Sequence, residues 1–217
     1  MQGDRTGSVD GMADAAAPRV LCVGTHHKTG TVWMRRVFRG IAQALDIPLV
    51  GLHRPQRWPK LPQTGRVIVV NWGTRFAPEL LAQPDVRVLH VIRDPRDVLL
   101  SGARYHETTT MRTETFLFEP RADLGGLSYQ QHLQALPDTE AKLAFEMAGS
   151  HRRSLDEMLD WDYANPRCRD IRYEDLIGDT DCALFADLLR FFGFSDDEVA
   201  TGCRIYFDNS LFGGLAD

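Results

Sequence analysis

The sequence predicts an α/β fold, a parallel sheet flanked by helices. Three observations carry that reading. Short apolar runs at Val20–Val23, Val67–Val70 and Val86–Ile92 alternate with longer stretches of helical periodicity, the pattern of βαβ units. The run Val67-Ile68-Val69-Val70 is β-branched throughout, which suits a strand covered on both faces. The chain of 217 residues, 43% apolar and 25% charged, is long enough for one domain with a sizeable core, and its composition excludes disorder and fibrous repeats.

Residues 1–18 are rich in Gly, Ala, Asp and Ser without periodicity and read as a disordered leader to a single domain over 19–217. The first apolar run ends at Gly24. A helical stretch follows from Thr31 to Ala44, with Val32, Trp33, Val37, Ile41 and Leu45 at helical spacing, and Pro48 stops it. The run at 67–70 is bounded by Gly65 and Gly73. The run at 86–92 leads into Arg93, after which Asp94 and Pro95 supply an N-cap and a first-turn proline to a helix reaching about Tyr105. Residues 107–137 are irregular and read as a mobile segment over a site. One long helical pattern spans Thr139–Leu159, a short strand Cys168–Tyr173, and an amphipathic helix Phe185–Phe192. In such a fold ligands bind at the carboxyl ends of the strands.

The net charge of −5 argues against a nucleic-acid partner. The average hides a division. Residues 19–66 carry nine basic side chains and one acidic, whereas residues 107–217 carry ten basic and 22 acidic. Such asymmetry suits an anionic ligand at one end of the fold. No apolar run approaches the roughly 18 residues of a membrane span, and Asp4, Asp10 and Asp14 rule out a signal peptide, so a cytosolic protein without a membrane partner is expected. Cys22, Cys168, Cys182 and Cys203 form no C-x-x-C pair and read as reduced thiols, not as a zinc site or disulfide frame.

Two segments have the chemistry to hold phosphates. Gly24-Thr25-His26-His27-Lys28-Thr29-Gly30-Thr31-Val32-Trp33 lies between a strand and a helix, where unpartnered backbone N–H groups, the Lys28 charge and two threonine hydroxyls converge. Lys28 precedes Gly30, so this is not a Walker A loop, and a Mg-ATP kinase is disfavoured. Arg93 through Ser101 adds a guanidinium at a strand end and a hydroxyl two turns into the next helix, which together suit a second phosphate.

Together the segments resemble the sulfotransferase family that uses 3′-phosphoadenosine 5′-phosphosulfate (PAPS). His27-Lys28-Thr29-Gly30-Thr31-Val32-Trp33 stands where the family commonly has P-K-S-G-T-T-W, Arg93 and Ser101 keep the spacing of the 3′-phosphate motif, and Arg172-Tyr173-Glu174-Asp175-Leu176 resembles a Y-E-D-L element. The resemblance implies a P-loop nucleotide-kinase-like sulfotransferase fold. It also implies that Lys28 stabilises the leaving 5′-phosphate, and that Thr29, Gly30, Thr31 and Val32 donate to that phosphate. By the same resemblance Trp33 stacks on adenine, Arg93 and Ser101 hold the 3′-phosphate, and Tyr173 touches the adenine edge, with Glu174 and Asp175 structural. Trp33 also has the spacing of a core residue.

Two departures stand out. At the position of the family's catalytic histidine an ungapped count back from Arg93 finds Asn71, which cannot take a proton. His27 is then the nearest candidate base and His26 the second. His53, His90 and His132 are weaker, and His90 reads as a core residue. The family's basic, glycine-containing closing segment has no counterpart, since no Lys or Arg follows Arg204, which implies fewer contacts to the 3′-phosphate or a chain cut short. The expected activity is metal-free sulfuryl transfer to a hydroxyl or amine of a small-molecule or carbohydrate acceptor, the alternative being a non-catalytic nucleotide-binding protein on the same fold. Residues 71–76 and the 107–137 segment are expected to recognise the acceptor, with Trp72, Phe76, Phe116 and Phe118 suiting an apolar body and Arg54, Arg57, Lys60 and Arg75 an anionic one.

Overall fold

The computed structural model describes residues 18–112 and 114–213. The expected leader lies outside the described residues except for Pro18. Strands β1 (Val20–Thr25), β2 (Leu49–Gly51), β3 (Val67–Asn71), β4 (Val86–Ile92) and β5 (Cys168–Arg172) form one parallel sheet in the order β2-β3-β1-β4-β5. The helices are α1 (Thr31–Ala44), α2 (Pro78–Leu81), α3 (Pro95–Thr108), α4 (Tyr129–Ala135), α5 (Thr139–Ala148), α6 (Ser150–Leu159), α7 (Tyr173–Gly178), α8 (Ala183–Phe191) and α9 (Asp196–Asp208). The observed class is the one that the alternation of strand and helix patterns predicts.

Every residue of β1 is buried, because helices or loops cover both faces of the sheet. Alternate side chains go to opposite sides. Leu21, Val23, Ile68, Val70, Leu89 and Val91 join the face packed by α1, α8 and α9, while Val20, Cys22, Val67, Val69, Val86 and Val88 join the other face with Leu80. Each such side chain contributes about 1.5–3 kcal/mol by leaving water, so the central strands are the most strongly fixed part of the fold. Their carboxyl ends thereby become a rigid shelf.

Three local differences from the sequence reading have physical causes. The pattern at 139–159 is two helices, broken at Gly149, where a Cβ would lie 2.9 Å from the Tyr129 hydroxyl and 3.2 Å from the Phe145 carbonyl oxygen. The break admits the Tyr129 ring. The segment 107–137 is more built than its composition suggests: α4 opens with a Ser128–Gln131 capping box, and Gln130 and Gln134 donate to the carbonyls of His106, Thr109 and Glu107. Helix α9 has no strong propensity, since Val199, Thr201, Gly202 and Ile205 disfavour a helix, yet it is capped by a Ser195–Glu198 box that was readable in the sequence.

Tyr206 of α9 ties that helix to the core. Its ring stacks on Phe185 with centroids 4.2 Å apart and on Trp33 at 5.2 Å, and its hydroxyl donates to the Leu176 carbonyl at 2.5 Å. Tyr206→Phe is expected to lower unfolding free energy by about 1 kcal/mol and Tyr206→Ala by about 3–5 kcal/mol in urea denaturation. A neutral Tyr206→Ala would show that α9 is not held this way.

Candidate functional site

The loop between β1 and α1 is closed on itself. His26 is fully buried, its N–H donates to Thr29 Oγ1 at 2.8 Å, and its carbonyl accepts from the hydroxyls of Thr29 and Thr31 at 3.1 and 2.8 Å. Its Nε2 meets His90 Nε2 at 2.8 Å, and its Nδ1 lies 3.4 Å from Glu157, which in turn pairs with Arg75. His90 Nδ1 is bonded to Asp170 at 2.7 Å. A row of polar groups thus runs beneath the loop. His26 is committed to this row, as is His90, the expected core histidine.

Above the row the chain turns outward. Lys28 adopts φ 63 and Gly30 φ 99, both left-handed, and a Cβ at Gly30 would lie 3.0 Å from the Tyr173 ring. Gly30 is the N-cap of α1 and supplies no side-chain hydrogen bond, so the first-turn N–H groups of α1 have no intrahelical or capping partner. Thr29 and Thr31 use their hydroxyls inside the loop, and the Thr29 N–H donates to the His26 carbonyl at 3.2 Å, so of the two only Thr31 keeps a backbone N–H to offer a ligand. The half-buried Lys28 holds its ammonium 4.2 Å above the Tyr105 ring, and burial lowers its pKa from the ordinary lysine value.

Strand β4 lies beside β1, so Arg93 at its end reaches the same place. Its guanidinium donates to the Lys28 carbonyl at 2.9 Å and sits 4.6 Å from the Tyr173 ring centre, while its Nε is buried without a partner. Asp94 caps α3 by accepting from the Arg96 N–H. Glu174 accepts from the Asp94 N–H at 3.0 Å, the structural role expected of it. Trp33 serves both readings of its position, because it packs on Tyr206 in the core and lines the cleft edge-on to Tyr173, with its Nε1 buried and unpartnered.

These groups surround a cleft of about 570 Å³. Of the residues expected to hold a donor or catalyse its reaction, His27, Lys28, Gly30, Thr31, Val32, Trp33, Arg93, Ser101 and Tyr173 line it, and Thr29 is buried behind it. Arg35 and Tyr105 also line it and escaped the sequence reading, while Met111 and Glu114, which line it too, belong to the 107–137 segment expected over the site. Tyr105 was accessible to that reading, being one helical turn beyond Ser101 on the same face of α3. Glu114 lies outside regular structure, where spacing carries no signal.

Asn71 is a brace. Its amide donates to the carbonyls of Leu52 and Arg75, and its oxygen accepts from the N–H groups of Gly73 and Arg75, which fixes the turn after β3. Phe76 is core, and Phe116 packs edge-on against His106 and Tyr129. Of the expected acceptor residues Trp72 lines the cleft, as do Met111 and Glu114 of the 107–137 segment; Arg54, Arg57, Lys60 and Arg75 do not. Burial, followed by the charges of His106 and Lys28, pushes the His27 pKa down to about 3, which keeps its ring neutral.

No protein-family model and no curated protein sequence matches the chain. Among solved structures, mouse sulfotransferase SULT7A1 complexed with PAP (3′-phosphoadenosine 5′-phosphate) superposes with a TM-score of 0.55 at 20% sequence identity, over 91% of this chain. The chain has the sulfotransferase fold. It spans 66% of the length of that neighbour. Retinol dehydratase in complex with androsterone and PAP superposes over 89% of this chain and 66% of its own, at 14% identity and a TM-score of 0.47. No helix among the described residues is long and apolar enough to cross a membrane.

The row beneath the loop gives this sulfotransferase fold a pH dependence. Burial is the main cause holding His90 below the ordinary imidazole pKa, with the Asp170 hydrogen bond opposing it. The unfolded chain therefore takes up a proton near pH 6.5 that the folded chain resists, and the stability is present above that pH and lost as the pH falls. Urea midpoints are expected to drop on acidification from pH 7.5 to 5.5, and less steeply in His90→Gln. Equal slopes in the two proteins would contradict the assignment.

Proposed function

We propose that the protein transfers a sulfuryl group from PAPS to a hydroxyl or amine of a small-molecule or carbohydrate acceptor, as one cytosolic domain over residues 19–217. The supporting observation is that Lys28 and Arg93, at the ends of two adjacent strands, line the same cleft as the uncapped start of α1. Two cations and a helix N-terminus suit a ligand with phosphates at two positions. The buried, unpartnered Nε of Arg93 and Nε1 of Trp33 are donors that such a ligand would satisfy.

When bound, the donor supplies a sulfuryl group attached to a 5′-phosphate leaving group. The Lys28 ammonium stabilises the charge that develops on that phosphate, and its half-buried setting makes the interaction stronger than it would be in water. The Gly30 backbone and the first-turn N–H groups of Thr31, Val32 and Trp33 hold the 5′-phosphate, while Thr29, its N–H and hydroxyl both bonded to His26, shapes the loop behind them. Arg93 and Ser101 hold the 3′-phosphate, and Trp33 and Tyr173 flank the adenine. His27, whose Nε2 has no partner, is the ring placed to receive the acceptor's proton; a pKa of about 3 makes it a weak base, so the proton passes on to solvent.

The test is to incubate the protein with PAPS and a panel of phenols and glycans and to follow PAP formation. Lys28→Ala is expected to lower kcat by about 10²–10³-fold. Arg93→Ala is expected to raise the donor KM by about tenfold, the loss of one charge-assisted contact. Full activity in Lys28→Ala would overturn the mechanism. Donor binding without product from any acceptor would favour the non-catalytic nucleotide-binding alternative, with which Asn71 in place of a base agrees.

A further inference from the structure

We propose that His27, His106 and Glu114 form a binding site for one divalent cation of the zinc type. Ligand atoms of the three residues lie within 4.8 Å of one another. Two imidazole nitrogens and one carboxylate oxygen are a donor set for zinc and for the neighbouring divalent transition metals.

The inner side of the site is built to aim a ring nitrogen. The His106 side chain is fully buried, and its Nδ1 lies 3.1 and 3.0 Å from the two oxygens of Glu146, itself 1% exposed. Tyr129 donates its hydroxyl to Glu146 at 2.8 Å, through the space that the break at Gly149 opens. A carboxylate accepts hydrogen bonds, so His106 Nδ1 is the donor and its Nε2 points the other way. That nitrogen is buried and has no hydrogen-bond partner. A carboxylate behind a histidine whose far nitrogen is free is the outer-shell arrangement that orients metal-binding imidazoles.

The outer side completes the set. His27 stacks on His106 with ring centroids 4.9 Å apart, and its own Nε2 is likewise buried without a partner. Glu114 Oε2 is 3.7 Å from His106 Nε2, too far for a hydrogen bond. Two ligand atoms at about 2.1 Å from one ion in tetrahedral geometry are about 3.4 Å apart, so the separation needs only a small side-chain adjustment. A dication would also balance the carboxylates of Glu114 and the buried Glu146, and the cleft, which His27 and Glu114 line, provides access and room for a ligand from solvent. No cysteine takes part. A cation would occupy the Nε2 lone pair that the proposed transfer reaction assigns to the acceptor's proton, so the two uses of His27 exclude each other.

The test is direct titration of untagged, chelator-treated protein with Zn²⁺ by calorimetry, and with Co²⁺ by visible absorption. The expected result is one ion per chain with a Kd of about 1 μM or tighter. Ligand-field bands without a thiolate charge-transfer band should accompany Co²⁺. Both His106→Gln and Glu114→Gln should weaken binding at least tenfold, and Glu146→Gln by about 10–100-fold. Should His106→Gln or Glu146→Gln fail to fold, the half-exposed Glu114→Gln decides the question by itself. Absence of binding at 100-fold higher concentration of ion, or equal binding by wild type and Glu114→Gln, overturns the site. Because neither readout uses PAPS, its failure is distinct from failure of the sulfuryl-transfer reading.

Discussion

The cleft depends on one buried residue, His26. Its backbone anchors both threonines of the loop between β1 and α1, and its ring is held from below by His90 and Glu157. A polar ring without solvent access must find its partners in the protein, and those partners come from β4 and α6, with Asp170 of β5 next in line. The loop therefore cannot take its shape until the sheet has formed. Once it has, Lys28 is held in a left-handed conformation that a lysine in a free chain visits rarely, beside Gly30 in one that glycine adopts readily, and the ammonium and the start of α1 face the same way.

Sheet order then brings the second cation to the first. Because β1 and β4 are neighbours in register, Arg93 follows β4 as the loop follows β1, and its hydrogen bond to the Lys28 carbonyl joins the two segments. Positive groups concentrated in this way repel one another. The aromatic rings of Tyr105 and Tyr173, each beneath one cation, offset part of that repulsion while leaving the charges able to meet an anion.

Much of this was legible beforehand. The Thr31–Ala44 helix, the Asp94 cap and the three central strands follow from local signals: apolar period, capping residues and β-branched runs. What was not legible has a common character. The break at Gly149 admits the ring of Tyr129, twenty residues earlier, and α9, whose start alone was readable from its capping box, is held against the core by the contacts of Tyr206 with Phe185 and Trp33. Neither contact leaves a trace in local propensity. Phe76, plausible as an acceptor contact by its loop position, is core for the same reason.

The sequence by itself determined the fold class and two of the cleft-lining cations, Lys28 and Arg93, since strand patterns, cap residues and a glycine-bounded lysine loop are short-range properties encoded within a few residues of one another. Tertiary structure alone decided which histidines face the cleft. His26 and His27 are adjacent in the chain, yet one is fixed beneath the loop and the other stands in the cleft against His106, with Glu146 behind. The reason is that a buried polar side chain goes where its hydrogen-bond partners are, and those partners lie 64 to 131 residues away in the sequence for His26.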